Sequence, residues 1–518
     1  MDGGIDPEMD DRGPFGRPLL KTPASRDLSR VGVVDVGSNS VRLVVFDGAA
    51  RAPAYFYNEK VMCGLGAGLA ETGRLNPKGK IRAMEALRRF QILADGMGLT
   101  PLTAVATAAM REAEDGPAFR DEIARETGLR LYVIDGSEEA RLSTQGVLVG
   151  WPWAEGVVCD IGGSSMELAM VSGGKVGRRQ TSPLGPLKLQ NLPGGKKQLR
   201  KHIDGVMAGL VDTLEIKGQR LYLVGGSWRA IAKLDMARRN YPLRVLHEYE
   251  LTPDALSETL DHLITTDDLE PLRQEAGVGS DRMSLVPLAA EVLKSVLRGI
   301  TPPKIVMSSY GLREGLLYEQ MPQPLRDRDP LIEASNWLEQ HDARVPGFGR
   351  VLYHFVRPLF AGAPKAKLRL VRAACLLHDV NWRTHPDYRA RVCFDLATRA
   401  NLGALSHPER IFLGIALLHR YKNGRPGEDI EPMLALLDED SQKEAQMLGR
   451  AMRFGAMFTA QSSQQIGSLD WDAENRRLRL SIGPRGMALF GEVAQGRFAA
   501  LAKSLGAETE VRTTGGIS

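Results

Sequence analysis

Two apolar runs flank the short stretch Gly37-Ser-Asn-Ser40, and two more flank Gly162-Gly-Ser-Ser165. Each reads as a strand, a tight turn and a returning strand, because apolar runs this short, bounded by small turn residues, fit buried strands. Alternating elements follow both hairpins. After the first, the spacing of Ile81, Met84, Leu87 and Phe90 predicts a helix over 77–96. Then come a strand over 102–106, a helix reaching 125, a strand over 129–134 and a helix opened by Ser137. After the second hairpin come a basic Pro- and Gly-containing loop over 183–201, a helix to 215 and a strand over 221–224. The stretch GGSWRAIAKL, a strand over 304–307 and a helix over 310–319 complete this part. Such alternation, with near-continuously apolar strands, predicts two α/β lobes built on buried, partly parallel sheets. Beyond MPQPLRDRDP the pattern turns helical as far as 466, and the remainder reads as two strands, a helix over 487–505 and a last strand over 509–512. The expected regions are a mobile tail (1–30), lobe I (31–155), lobe II (156–325), a helical domain (326–466) and a small α+β region (467–518).

Composition narrows the class without changing this outline. The 518 residues exceed what one core holds, since single cores stop growing near ~250–300 residues. Hydrophobic residues at 43% and charged residues at 25% are ordinary for folded domains. The net charge of +4, from 67 Lys and Arg against 63 Asp and Glu, argues against general nucleic-acid binding. It still allows a local basic patch for a polyanion. Cys63, Cys159, Cys375 and Cys393 are far apart and form no disulfide framework, which favours a reducing cytoplasm. No apolar run approaches the ~20 residues of a spanning helix, and 1–30 has no apolar signal-peptide core. The expectation is a cytoplasmic protein with no membrane partner.

The two hairpins are a repeat. Asp35-Val-Gly-Ser-Asn-Ser-Val-Arg-Leu43 aligns without a gap against Asp160-Ile-Gly-Gly-Ser-Ser-Met-Glu-Leu168. Either turn alone could be an ordinary Gly turn with locally bonded Asp. Repetition in register instead suggests two similar lobes facing each other across a cleft, with both turns pointing into it. Gly- and Ser-rich turns offer backbone N–H groups to phosphate oxygens. The acids then fit metal binding or water positioning, because polyphosphorylated ligands bring Mg²⁺ with them. Gly225-Gly226-Ser227 repeats the strand, Gly pair and helix start, and forms a third candidate phosphate rest.

These hairpins resemble the paired phosphate loops of the actin-like superfamily, and the chain is similar to the exopolyphosphatase/guanosine pentaphosphate phosphohydrolase family. The carrying stretches are VVDVGSNSVRLVVFD (33–47), ATAAMREAEDG (106–116), IDGSEEARL (134–142), CDIGGSSMEL (159–168) and SYGLREGLLYE (309–319). The resemblance implies two actin-like (ribonuclease H-like) α/β lobes and hydrolysis of a terminal phosphoanhydride. It implies inorganic polyphosphate as substrate, with guanosine pentaphosphate as the alternative and an actin-like ATPase or kinase as a more distant one. Mg²⁺ is the implied cofactor, with a monovalent cation such as K⁺ as a further candidate, and a homodimer is the implied assembly. Gly37, Ser38, Asn39, Gly162, Gly163, Ser164 and Ser165 would hold phosphates. Asp160 and Glu167 carry over as metal-linked catalytic carboxylates, with Asp35 their counterpart on lobe I. Glu139 matches the general base, although acids in a helix first turn are also favoured by the helix dipole alone. Arg111, expected in the first turns of a helix capped by Thr107, suits a phosphate oxygen.

Trp228 and Arg229 stand where many relatives continue with a Gly-Thr run, and a Trp there would fill a nucleoside pocket, favouring polyphosphate. Lys188, Lys196, Lys197, Arg200 and Lys201 form a candidate rail for a polyanion or a plain solvated face. RAACLLHDVNW (372–382) and ALLHRYKNG (416–424) resemble the metal-dependent HD phosphohydrolase fold. His354 and Asp395 cannot be placed as the remaining ligands, so a degenerate domain is preferred, its His378, His419, Arg420 and Lys422 either touching the polyanion or packing. CGLGAG (63–68) imitates a dinucleotide fingerprint but lacks its context. Cys159 reads as a buried strand residue.

Overall fold

Both predicted hairpins form, and each nucleates a sheet. In the computed structural model the described residues are 19–22, 25–99, 101–190, 192–424, 426–459 and 467–513. They divide into two units that meet between Arg328 and Asp329. In the first unit, β1 (Val31–Val36), β2 (Ser40–Ala49), β3 (Ala52–Met62), β4 (Thr103–Ala106) and β5 (Leu131–Val133) make a sheet of order β3-β2-β1-β4-β5. A second sheet contains β6 (Gly156–Ile161), β7 (Met166–Ser172), β8 (Lys175–Ser182), β9 (Leu221–Gly225), β10 (Glu250–Leu251) and β11 (Ile305–Met307). Its order is β10-β11-β9-β6-β7-β8. Read outward from the hairpin, β8-β7-β6-β9-β11 repeats β3-β2-β1-β4-β5 strand for strand. In both, the hairpin pairs are antiparallel and the crossover pairs parallel.

The sheets are covered on both faces, which explains the near-continuous apolar strands. Along β1, Val34 and Val36 face a core with Leu87 and Phe90, while Val31 and Val33 join a second core with Val158, Tyr222 and Leu317. Lobe II has its own core of Val157, Cys159, Leu168, Leu223 and Trp228.

Several elements differ from the pattern-based expectation. β3 and β8 are edge strands with many exposed positions, so they carry little apolar signal. The helix expected to reach 125 is two, Ala108–Glu112 and Gly116–Thr127. The break lies at Ala113, whose backbone is extended, and Gly116 lets the chain pass close to the Met110 carbonyl, where an added Cβ would collide. Arg111 therefore lies at a helix end, and the Thr107 side chain makes no cap bond. The basic loop over 183–201 is a short helix, Pro186–Leu189, followed by the opening turns of helix Gly195–Leu214. The expected tail is ordered in part: Leu28 is fully buried, Leu20 bridges to Leu28 and Asp27 to Ala49. Residues 1–18 and 23–24 of that expectation lie outside the described residues.

Helix Gly136–Gly150 and helix Leu312–Gln320 pack at backbone contact, because Gly146 lies against the Gly311 carbonyl and Gly315 against the Leu142 carbonyl. A side chain cannot enter there without separating the helices. Gly315→Ala should destabilise the first unit by on the order of 3 kcal/mol, read as a lowered midpoint in thermal or urea unfolding.

The second unit contains helices Pro330–Asp342, Phe348–Val356, Lys365–Leu377, Pro386–Arg399, His407–His419 and Glu439–Phe458. A three-stranded sheet follows, of order β12 (Gly467–Asp472), β13 (Arg477–Ile482) and β14 (Glu508–Thr513). Helix Glu492–Leu505 makes the crossover to the parallel strand β14. The single helix expected over 487–505 begins instead at Glu492, with a separate turn over Pro484–Met487. Among the described residues no helix is long and apolar enough to cross a membrane.

Candidate active site

The two hairpin turns meet in a cavity of about 190 Å³ between the sheets of the first unit. Both close the same way: Gly37 N–H donates to the Ser40 carbonyl at 3.0 Å, and Gly162 N–H to the Ser165 carbonyl at 2.9 Å. Ser164 Oγ donates to Ser38 Oγ at 3.1 Å, so the turns touch. Each turn is held from behind through its carbonyls. Gly66 N–H bonds the Ser38 carbonyl, Cys63 and Gly64 N–H bond that of Asn39, and Leu187 N–H bonds that of Gly163. The Gly-rich stretch 63–68 is thus the scaffold of the first turn; at Gly66 an added Cβ would stand 3.1 Å from Ser38 Cβ. With the carbonyls occupied, the N–H groups of Ser38, Asn39, Gly163 and Ser164 make no hydrogen bond among the described residues. Unmatched backbone donors of this kind require water or a ligand.

Strand register then sets the charge. Across the first sheet, Asp35 (β1) pairs with Arg42 (β2), which pairs with Lys60 (β3). Across the second, the equivalent row is Asp160 (β6), Glu167 (β7) and Thr181 (β8). One repeat has become a cationic row and the other an acidic one.

At the acidic end, Asp160 accepts the Ser143 hydroxyl and Glu167 Oε1 accepts the Thr181 hydroxyl at 2.9 Å. Glu139 comes from helix Gly136–Gly150, whose first turn is fixed by Asp135 accepting the Glu138 N–H at 2.7 Å. Glu139 and Glu167 are buried, and the Oε2 atom of each has no hydrogen-bond partner. Burial, then the Glu167 and Asp160 charges, push the Glu139 carboxyl well above its usual range, and Arg111 opposes this from 3.9 Å. Burial, then Asp160, likewise push Glu167 upward. Burial is also the main cause raising Asp160, against the Ser143 bond.

Arg42, Lys60, Arg229, Arg282 and Arg313 line the same cavity, and the Arg229 and Arg313 charges act on the Asp160 carboxyl. Arg313 reaches Asp35 at 3.2 Å. The other four make no ion pair among the described residues; Arg42 donates to Asn58, Arg229 to the Gly225 and Ser309 carbonyls, and Arg282 to Ser227. Burial, then the surrounding guanidiniums of Arg282, Arg42, Arg229 and Arg313, lower Lys60 to about 8. Burial, then Arg313 and Arg229, bring Arg42 down to about 10. These cations leave positive charge in the cavity that an anionic ligand would balance.

Of the residues anticipated from sequence, Asp35, Gly37, Ser38, Asn39, Glu139, Asp160, Gly162, Gly163, Ser164 and Ser165 line this cavity, as do Gly225, Gly226 and Ser227. Arg111 and Glu167 stand behind the lining, beside Glu139 and Asp160 respectively. Lys197 does not line it. Lys196, Lys197 and Lys201 ride the exposed face of helix Gly195–Leu214, Arg200 is paired with Glu291 at 2.6 Å, and Lys188 with Glu112 at 3.1 Å. Trp228 does not fill the pocket either. It is fully buried in the lobe II core, while its helical neighbour Arg229 faces the cavity. The cationic end went unread: Lys60 and Arg282 were not singled out, and Arg42 and Arg313 were quoted only inside motifs. The usable signal was the repeat itself, which sets Arg42 opposite Glu167.

Residues 44–324 match the Ppx/GppA phosphatase family. The chain belongs to that family. Residues 331–511 match a second description, "Exopolyphosphatase, C-terminal". Among Ppx/GppA relatives, exopolyphosphatase 1 of Mycobacterium bovis is 27% identical over 321 residues, covering 59% of this chain and 92% of its own. Guanosine-5'-triphosphate,3'-diphosphate pyrophosphatase of Aeromonas salmonicida is 23% identical, covering 88% of this chain and 92% of its own. Retrograde regulation protein 2 of Saccharomyces cerevisiae is 24% identical, covering 76% and 73%. The crystal structure of an exopolyphosphatase from Cytophaga hutchinsonii superposes with a TM-score of 0.51 at 23% identity, covering 56% of this chain and 97% of that one. This likeness shows the same α/β fold.

The carboxylates present fit a hard cation shared with a phosphate rather than an all-protein cage. Among the described residues no three His, Cys, Asp or Glu side chains converge on one metal position, and Asp35 is engaged by Arg313. The Oε2 atoms of Glu139 and Glu167 have no hydrogen-bond partner, and burial and mutual repulsion disfavour charge on these acids unless a cation joins them. Mg²⁺ is commonly held by one or two carboxylates plus substrate phosphates, and that is what this end offers.

Proposed function

We propose that the cavity hydrolyses the terminal phosphoanhydride of inorganic polyphosphate and releases orthophosphate. The observation that carries this reading is the lining of the cavity, in which Arg42, Lys60, Arg229 and Arg282 have no ion pair among the described residues while Glu139 and Asp160 line the same space. No aromatic side chain is among the lining residues, and a base is normally read by stacking on one. A chain of phosphates uses all of this surface, whereas a nucleoside would leave charge unmatched.

The terminal phosphoryl group would rest on the free N–H groups of Ser38, Asn39, Gly163 and Ser164, with its neighbours against Arg42, Lys60, Arg229 and Arg282. Glu139 would take a proton from the attacking water as the new O–P bond forms and the bridging P–O bond breaks. A base whose proton affinity is raised by burial and neighbouring carboxylates suits this task. Charge on the departing chain would be met by the guanidiniums, the main form of help a phosphoryl transition state accepts. Asp160, with Glu167 behind it, would hold Mg²⁺ against the phosphate, and the ion would supply further charge neutralisation. Asp35 would serve to orient Arg313 instead.

Phosphate release from long polyphosphate, tripolyphosphate, guanosine pentaphosphate and ATP, measured side by side, tests the assignment. The two inorganic substrates should have the higher kcat/KM. A preference for guanosine pentaphosphate would overturn the polyphosphate reading in favour of the nucleotide one, and hydrolysis of ATP alone would remove both.

A further inference from the structure

The two aspartates that the repeat makes equivalent are held by different chemistry. Asp35 meets the Arg313 guanidinium at 3.2 Å, whereas Asp160 accepts the Ser143 hydroxyl at Oδ2. Both donors belong to the helix pair that crosses at backbone contact, Arg313 to helix Leu312–Gln320 and Ser143 to helix Gly136–Gly150. The crossing places them. Gly315 lies against the carbonyl of Leu142, which precedes Ser143, and Gly146 against the carbonyl of Gly311, two residues before Arg313. Each helix thus sends one side chain to one hairpin strand.

Ser143 is fully buried. A buried serine inside a helix commonly turns its hydroxyl onto the carbonyl four residues back, and the adjoining Thr144 does so with Ala140 at 2.8 Å. Ser143 instead gives its proton to Asp160. The next acid of the same row is treated alike, with Glu167 Oε1 accepting the Thr181 hydroxyl at 2.9 Å. A hydroxyl fixes a carboxylate and leaves its charge, whereas a guanidinium fixes it and offsets the charge. Asp35 thereby gains a counter-ion from its donor, and Asp160 gains none. Asp160 Oδ1 accepts no hydrogen bond among the described residues, and Gly225 leaves room beside it, since a Cβ there would stand 3.0 Å away.

We propose that Ser143 is a positioning residue for a divalent cation at Asp160: by tying down Oδ2 it leaves Oδ1 as the oxygen open to the ion. The inference rests on the reading of Asp160 as a cation-holding carboxylate. Without the hydroxyl, the carboxylate is free to swing toward the Arg229 and Arg313 charges that act on it. An oxygen turned to a guanidinium is lost to the ion.

Mn²⁺ binding to the full chain, read by electron paramagnetic resonance with imidodiphosphate present as a phosphoanhydride analogue, tests this. Ser143→Ala should weaken it by about 10–100-fold, the cost of removing a partner that orients a metal ligand. Affinity for imidodiphosphate without metal should stay as in the wild type, because Ser143 does not line the cavity. The Mg²⁺ concentration for half-maximal phosphate release should rise by the same factor. Saturating Mg²⁺ should then restore most of the turnover, which a damaged fold would not allow. Asp160→Asn separates the two claims. If it leaves Mn²⁺ binding intact, the cation reading of Asp160 falls and the role of Ser143 with it. If it abolishes binding while Ser143→Ala binds as the wild type does, the role of Ser143 alone is overturned. A loss of turnover in Ser143→Ala that excess Mg²⁺ does not relieve would overturn it as well.

Discussion

Glu139→Gln is expected to lower kcat for phosphate release by about 10²–10⁴-fold, with KM nearly unchanged, and to raise the thermal midpoint. The kinetic half follows from the role of proton acceptor: the amide keeps shape and burial but cannot take the proton. The stability half follows from the raised proton affinity. The glutamate titrates near 4.5 in an unfolded chain and well above that when buried beside Glu167 and Asp160. Its stabilising proton is fully held below the unfolded value and is lost as pH rises through the folded one. Above about pH 4.5 the unfolded wild type therefore gains from releasing a proton whose loss the folded surroundings disfavour, and the glutamine has no such proton. The difference in midpoint between variant and wild type should grow as pH rises from about 4.5. A midpoint difference independent of pH would remove the electrostatic account, and near-normal turnover would remove the base.

Lys60→Ala combined with Arg282→Ala should raise KM for polyphosphate by about 10²–10⁴-fold, since hydrogen bonds to charged groups contribute about 1.5–3 kcal/mol each, while kcat changes far less. Neither residue touches the acidic end, so the loss belongs to binding of the chain behind the terminal phosphate. Lys60 adds a pH signature. Because burial and four guanidiniums bring it down to about 8, it loses its charge above that value in the free enzyme. KM for polyphosphate should climb above pH 8 in the wild type and stay flat in Lys60→Arg, whose guanidinium remains charged. A KM equally flat in both would show that Lys60 does not contact the substrate. Added salt should weaken the wild type more than the double variant, because fewer charges remain to be screened.

The paired hairpins were legible because two copies lie in one chain, and a gapless match between Asp35–Leu43 and Asp160–Leu168 is hard to produce by turn chemistry alone. The match also contained the division of charge, since Arg42 and Glu167 occupy the same register position beside Asp35 and Asp160. What it could not supply is the third strand of each row. Lys60 and Thr181 lie on polar edge strands with no apolar pattern to announce them. Arg282 and Arg313 come from elements more than 200 positions from Arg42, so only the closed sheet order brings them together. Trp228 was misread for a related reason. Successive helical residues point about 100° apart, so one can be core while the next lines a cavity, and a local motif does not say which. The basic stretch over 183–201 was read as a loop, but a helix begins at Gly195 and places Lys196, Lys197 and Lys201 on an exposed face outside the cavity lining.

The most direct test of the central claim is hydrolysis of long-chain polyphosphate in ¹⁸O-labelled water, followed by isotope analysis of the released orthophosphate for wild type and Glu139→Gln. Water activated beside Glu139 and attacking the terminal phosphorus predicts one labelled oxygen in each orthophosphate from the wild type and almost no release from the variant. Unlabelled orthophosphate, or labelled release undiminished in Glu139→Gln, would contradict it.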